Sequence, residues 1–321
     1  MKLLVTGGLG FIGSNFINYW LFNHPNDEIV NVDKVTYAAN FDNISDPNNR
    51  NYKFVRSDIN DKKIMEELIA SSDTIINFAA ETHVDKSISS PEEFLKSNYM
   101  GVFNLLELVQ KYDKRFHQVS TDEVYGSLPL GSHDSFDENS CYNPRNPYSS
   151  TKAAADHLVR AYVNTYGLKA TISNCSNNFG PNQHPEKLIP KTILNSLSNR
   201  RIPIYGSGKQ VRDWIYVEDH CIALDLIISN GRIGQTYLVS SENEINNIEV
   251  VNKILSILDV GTNLIEHVAD RPGHDKRYAM SSAKIRKELG WSPKNNFECA
   301  LRKTIRYYQE NINKYTRIDY A

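Results

Sequence analysis

The amino end of the chain, MKLLVTGGLGFIGSNF, constrains the fold more than any other stretch. Residues 2–6 (KLLVT) form a short β-type run, GGLGFIGS follows at once, and Ile17, Trp20 and Leu21 then recur at helical spacing. Gly8, Gly10 and Gly13 satisfy G-x-G-x-x-G, and Gly7, Gly10 and Gly13 satisfy the looser G-x-x-G-x-x-G. Glycines in such a turn allow a tight bend and bring backbone N–H groups close to a pyrophosphate, with a helix N-terminus aimed at its charge. Gly7, Gly10, Phe11, Ile12 and Gly13 are therefore candidate cofactor contacts. A second β-type run, 28–32, ends in Asp33, twenty positions past Gly13. A carboxylate there accepts from ribose hydroxyls and repels a 2′-phosphate, which favours NAD over NADP, although Lys34 stands beside it. Strand, glycine turn, helix and spaced acid together predict an α/β fold, a doubly wound parallel sheet of the Rossmann type.

The remaining residues narrow the class. With 321 residues the chain has room for residues 1–175 as the dinucleotide-binding domain. Residues 176–321 are expected to form mainly a smaller C-terminal substrate-binding lobe, with some segments returning to the first domain. Hydrophobic content of 40%, charged content of 23% and a net charge of -2 fit an ordinary globular chain without the basic stripe that nucleic acid requires. No apolar run approaches the ~20 residues of a spanning helix, and no signal pattern precedes KLLVT, so the expectation is a cytoplasmic protein away from membranes. Cys141, Cys175, Cys221 and Cys299 lack metal-ligand spacing and read as free thiols; no metal site is expected.

Further β-type runs fall at 52–56, 74–78 and 115–120, and a long helix is expected over 92–109. SDI (57–59) places Asp58 and Ile59 near an adenine, and small Ala79 and Ala80 let a flat cofactor lie against the backbone. The run 115–120 leads into STDEVYG, so Thr121, Asp122 and Glu123 fall at the carboxyl end of a strand, where ligands bind in open α/β sheets. Taken alone, the acidic pair also fits a surface turn. Residues 127–147 form a polar, proline-containing loop expected to lie over the site. Tyr148 and Lys152 follow, four apart and so on one helix face, where the ammonium is expected to lower the phenol pKa.

These stretches resemble the extended short-chain dehydrogenase/reductase family in TGGLGFIGS, in the Ser-Thr before the acidic pair and in YxxxK. More closely, the chain resembles the nucleotide-sugar 4,6-dehydratases of that family along almost its whole length. The resemblance rests on VDKVTYAAN (32–40), AAETHVDKSI (79–88), STDEVYG, NCSNNFGPNQHPEKLIP (174–190), PIYGSGKQVRDWIYVEDH (203–220) and ADRPGHDKRYAM (269–280). It implies NAD as cofactor, dTDP-glucose as substrate and a homodimer formed through two long helices, 92–112 and 148–166. It implies that Tyr148 takes the C4 hydroxyl proton with help from Thr121 and Lys152, that Glu123 removes the C5 proton, and that protonated Asp122 donates to the leaving C6 hydroxyl. Substrate contacts implied are His83, Asn178, Lys187, Leu188, Pro203, Tyr205, Arg212, Asn247 and Tyr278, with 203–205 as a wall for the base. A structural histidine is an equal reading of His83.

Three departures accompany the likeness. Ala39 stands for an expected Gly, Leu238-Val239-Ser240-Ser241 replaces an Asn-Ile-Gly-Gly-like run assigned to the substrate lobe, and the loop after Gly126 is short. Within enzymes, a UDP-sugar 4-epimerase or a UDP-glucuronate decarboxylase shares the glycine turn and YxxxK, and Asp122 is the residue that separates them. A dinucleotide-binding protein without catalysis is the reading from another class; such a chain has no use for the acidic pair.

Overall fold

The computed structural model describes residues 1–315. Twelve strands occur along the described chain: β1 (Lys2–Thr6), β2 (Glu28–Asp33), β3 (Tyr52–Arg56), β4 (Thr74–Asn77), β5 (Arg115–Thr121), β6 (Lys169–Cys175), β7 (Asn177–Phe179), β8 (Ile202–Tyr205), β9 (Val211–Tyr216), β10 (Thr236–Val239), β11 (Glu244–Asn246) and β12 (Ile265–Val268). Seven of them form one parallel sheet in the order β10-β6-β5-β4-β1-β2-β3. The order reverses between β1 and β4, which is the switch point where an open α/β sheet leaves a crevice.

Alternation along the strands explains the two helix layers. Leu4, Val30 and Ile75 face one way, onto the helices Lys62–Ala70, Gly101–Lys111 and Pro147–Tyr166. Their neighbours Leu3, Val5, Ile29 and Ile76 face the other way, onto Phe11–Asn23 and Val217–Asn230. Successive side chains on a strand point to opposite faces, so a sheet covered on both sides needs near-continuous apolar runs.

The remaining strands form a three-stranded sheet, β11-β9-β7, and the pair β12-β8. The helices Leu188–Leu197, Asn247–Leu258 and Phe297–Glu310 close a separate core, to which Leu301, Ile305 and Tyr308 of the last helix turn inward as expected. β10 pairs with β6 at the edge of the large sheet, so Leu238 and Val239 belong there and not to the smaller lobe. The hydroxyls of Ser240 and Ser241 both donate to Asp213.

Two expectations need correction. The single helix over 92–109 is interrupted: Pro91–Phe94 is one turn, Leu95–Met100 widens to π-type spacing, and Gly101–Lys111 resumes α-geometry. The wide stretch carries buried Asn98, whose Oδ1 accepts from Glu81 N–H (2.8 Å) and whose Nδ2 donates to Glu81 C=O (3.1 Å) and Thr151 Oγ1 (3.0 Å). No residue of the loop 127–147 lines the cleft, although Asn146 near its end reaches Glu123. The loop straps the C-terminal segment instead, with Phe136 bridged to Met280 and Leu128 N–H donating to Arg277 C=O. Among the described residues no helix is long and apolar enough to cross a membrane.

Candidate active site

A cleft of about 300 Å³ opens over the carboxyl ends of β1, β2, β4 and β5. Every residue expected to hold the cofactor lines it: Gly7, Gly10, Phe11, Ile12, Gly13, Asp33, Lys34, Asp58, Ile59, Ala79, Ala80, Tyr148 and Lys152. Gly7 adopts φ 70°, a left-handed conformation that glycine takes without strain, and a Cβ on Gly13 would stand 2.5 Å from Gly7 O. Gly7 and Gly13 are thus closed to any side chain and present bare backbone to the cleft. Asp33 Oδ2 accepts from Leu9 N–H (3.1 Å) and Oδ1 from Val35 N–H (2.8 Å). The second bond holds β-branched Val35 at φ 63°, an uncommon conformation for such a residue. Lys34 Nζ lies 2.9 Å from Glu81, so the cation next to Asp33 is already paired.

Thr121, Asp122 and Glu123 end β5 and enter a tight turn, Asp122–Tyr125. Thr121 Oγ1 donates to Asp122 Oδ1 (3.1 Å) and accepts from Glu123 N–H (3.3 Å). Asp122 is 2% exposed, and its Oδ2 is buried with no hydrogen-bond partner. Burial, then the neighbouring Glu123, pushes its carboxyl well above the usual range. Glu123 is also raised by burial, but Arg271, Arg212 and Lys187 oppose the rise. Two adjacent carboxyls are thereby split, and Asp122 is the one set to hold a proton.

Asn146 couples these acids to the next element. Its Nδ2 donates to Glu123 Oε2 (3.3 Å), while its Oδ1 caps the Pro147–Tyr166 helix at Ser149 N–H (2.9 Å). That helix carries Tyr148 and Lys152 into the cleft, both buried. The expected lowering of the Tyr148 phenol is not found. Burial, then the Glu123 charge, raises it well above its ordinary value, and Lys152 Nζ donates to Val119 C=O (2.8 Å).

The expected substrate contacts divide into groups. Asn178 and Lys187 line the cleft; Asn178 Oδ1 is held by His220 Nδ1 (3.0 Å), and Lys187 Nζ donates to Thr82 C=O (3.1 Å). Leu188 opens the Leu188–Leu197 helix beside it. Arg212 and Tyr278 meet beside the acidic pair, the guanidinium 4.3 Å from the phenol ring centre, and both are tied to Asp275. Asn247 Oδ1 is buried and unpartnered. Tyr205 donates to Asp85 (2.9 Å), across from His83, which caps a short helix and lies 3.6 Å from Glu186. Pro203 and Tyr205 share one face of β8 while Ile204 alternates into the core, and neither lines the cleft.

Sequence reasoning passed over Glu186 and His184 in the cleft, Asn98 and Asn146 behind it, and Arg271 facing Glu123. Asn146 carried a readable signal, an N-cap type residue followed by proline at the first helical position.

A parallel sheet with a glycine turn at its switch point, and a Tyr-Lys helix face opposite a strand ending in Ser-Thr, define the extended short-chain dehydrogenases/reductases. The family model described as GDP-mannose 4,6 dehydratase matches residues 4–304. A dTDP-glucose 4,6-dehydratase of Mycobacterium tuberculosis is 48% identical over 312 residues, 97% of this chain and 94% of the relative. That of Escherichia coli is 44% identical, covering 99% and 96%. The dTDP-glucose 4,6-dehydratase from Bacillus anthracis, solved in complex with NAD, superposes with a TM-score of 0.93 at 42% identity over 99% of this chain and all of that one. A UDP-glucose 4-epimerase from Thermotoga maritima superposes with a TM-score of 0.90 at only 26% identity over 97% of this chain and all of that one. The chain belongs to the dTDP-glucose 4,6-dehydratases.

Proposed function

We propose that this protein converts dTDP-glucose to dTDP-4-keto-6-deoxyglucose, with NAD as its resident cofactor. The observation that carries the reading is Asp122: a buried carboxyl with one oxygen unpartnered, its affinity for a proton raised, adjacent to a second acid opposed by cations. An epimerase has no step that uses this pair.

The closed glycine turn, the Asp33 carboxylate and the paired Lys34 fit NAD. Bound there, NAD supplies a hydride acceptor for C4 and a hydride donor for the final reduction. Tyr148 takes the C4 hydroxyl proton, and Lys152, one turn along the same face, supports the phenolate against the burial that opposes it. Thr121 holds the reacting oxygen. A carbonyl at C4 acidifies the C5 proton, which Glu123 removes, while Asp122 gives its proton to the C6 hydroxyl leaving as water. Glu123 then returns a proton to C5 as C6 is reduced. Lys187, Arg212, Asn178, Asn247 and Tyr278 hold the diphosphate and sugar, and Pro203 and Tyr205 flank the base.

The same reading includes a homodimer and a cytoplasmic setting, which keeps exposed Cys141 and Cys299 reduced. Leu95, Tyr99, Ala154, His157, Leu158 and Ala161 form an open groove on the two long helices, with Leu95 52% exposed, which supports a helical pairing surface.

The test is direct. Purified protein is expected to carry NAD and to turn dTDP-glucose into a product that absorbs as a 4-keto sugar in alkali, without net NADH. Failure to form product from any nucleoside-diphosphate glucose rejects the reading. A C4-epimerised product would move the chain to the epimerases.

A further inference from the structure

We propose that Asp156 is a positioning residue for the oxidation step, the buried counter-charge that keeps Lys152 an ammonium; this rests on Lys152 serving Tyr148 as described above. Asp156 lies one turn beyond Lys152 on the Pro147–Tyr166 helix, and both are buried. Lys152 Nζ is held by Val119 C=O, and the next residue, Ser120, donates from Oγ to Asp156 Oδ2 (2.7 Å), so adjacent positions of β5 anchor the two groups.

The partners of Asp156 favour its ionised form. Besides Ser120, its Oδ2 receives the Tyr142 hydroxyl (3.0 Å) and Asn174 Nδ2 (3.2 Å). All three are donors, and Tyr142 is itself a donor because its oxygen accepts from Arg160 (2.8 Å). Three donors on one oxygen, with the Lys152 and Arg160 cations nearby, favour the carboxylate against the burial that raises its proton affinity. Asp156 Oδ1 is buried and makes no hydrogen bond, so the charge is left to act through space.

A buried ammonium without a counter-charge loses its proton. Burial lowers Lys152; Asp156 opposes this most, followed by Cys175 on β6. The charged groups facing Asp156 are Lys152 and Arg160 of its own helix, with Ser120 of β5 and Tyr142 of the preceding loop bonded to it. The network also reaches the reacting residues, because Asn174 Nδ2 donates to Thr121 C=O (3.1 Å).

The test compares first-turnover NADH formation against pH in Asp122→Asn with that in Asp122→Asn/Asp156→Asn, a background from which the Asp122 titration is absent. Removing the Asp156 charge is expected to shift the alkaline limb at least one unit to lower pH, a tenfold loss on that limb, while the half-saturating dTDP-glucose concentration of the first turnover changes less than twofold. A uniformly reduced or unchanged profile of the same shape overturns the proposal. Independently of turnover, 15N NMR of Lys152 in the native, NAD-loaded chain should show the ammonium persisting above about pH 8, short of an unperturbed lysine because burial lowers it. Titration of the native Lys152 below about pH 8 overturns the proposal even if the Asn variant fails to fold. If dTDP-glucose is not turned over, the assigned function fails while this titration still decides the role of Asp156.

Discussion

Thr121 binds the side chain of one following acid and the backbone N–H of the other, so three consecutive residues share one rigid corner at the end of β5. Within that corner the residues divide the chemistry by environment. Asp122 has burial and a neighbouring charge against ionisation, while Glu123 has Arg271, Arg212 and Lys187 in favour of it. Asp122→Asn keeps the shape and removes the transferable proton. It should still oxidise C4 and then stall, leaving reduced nicotinamide on the protein with turnover down about 10²–10⁴-fold, as seen by stopped-flow absorbance. Normal turnover in that variant would remove Asp122 from the mechanism. The pH dependence follows from the same signs. Activity falls as pH rises through the raised Asp122 value, because the acid loses its proton, and falls as pH drops through the raised Glu123 value, because the base gains one; the profile is a bell. The type and spacing of these residues were legible in STDEVYG, but the split between them was not. It depends on cations from residues 187, 212 and 271, remote in the chain.

At the level of elements, the glycine turn and the helix starting at Pro147 were readable because their signals are local. Left-handed backbone at Gly7, an N-cap followed by proline, and Tyr-Lys at one-turn spacing need no tertiary partner. Gly13→Ala tests the turn. The added carbon would stand 2.5 Å from Gly7 O and 2.9 Å from Gly8 Cα, both backbone atoms that cannot swing aside. A loss of about 1–3 kcal/mol in unfolding free energy is expected, together with loss of NAD on gel filtration. A variant that retains NAD and native stability would show that the turn is not the cradle described here. The widened Leu95–Met100 stretch escaped prediction because a single π-type turn inside a longer helix shifts the apolar pattern by only about one residue. What marks it is Asn98 reaching Glu81 and Thr151, contacts between distant segments. The phenol of Tyr148 was misjudged for a related reason. Helical spacing places Lys152 on its face, but burial and the acidic pair of β5 act more strongly on it.

For the whole molecule, the cleft exists because the chain leaves the paired strands β1 and β4 toward opposite faces of the sheet, and residues 183–187 reach back to it from the smaller lobe. The return of β10 to the large sheet means that the two lobes do not divide the chain at one point. On the outer face, Leu95 and its groove are the surface proposed above for a second copy. Leu95→Glu places a charge where the proposed dimer excludes water and should weaken association about 10–100-fold, measured by sedimentation. An unchanged dimer, or a native chain that is already monomeric, would assign the groove no role in pairing.

By itself the sequence determined the parallel α/β fold and the cofactor turn, and it supplied the five residues proposed to react. Each of these rests on period, spacing or side-chain type within a short stretch. Tertiary structure alone decided the proton affinity of each acid, the engagement of Lys152 with Val119 and the three donors on Asp156, and it set the middle of the 127–147 loop against the C-terminal segment. The reason is range. Backbone preference and amphipathic period act over a few residues, whereas desolvation and charge depend on which distant segments share one buried volume.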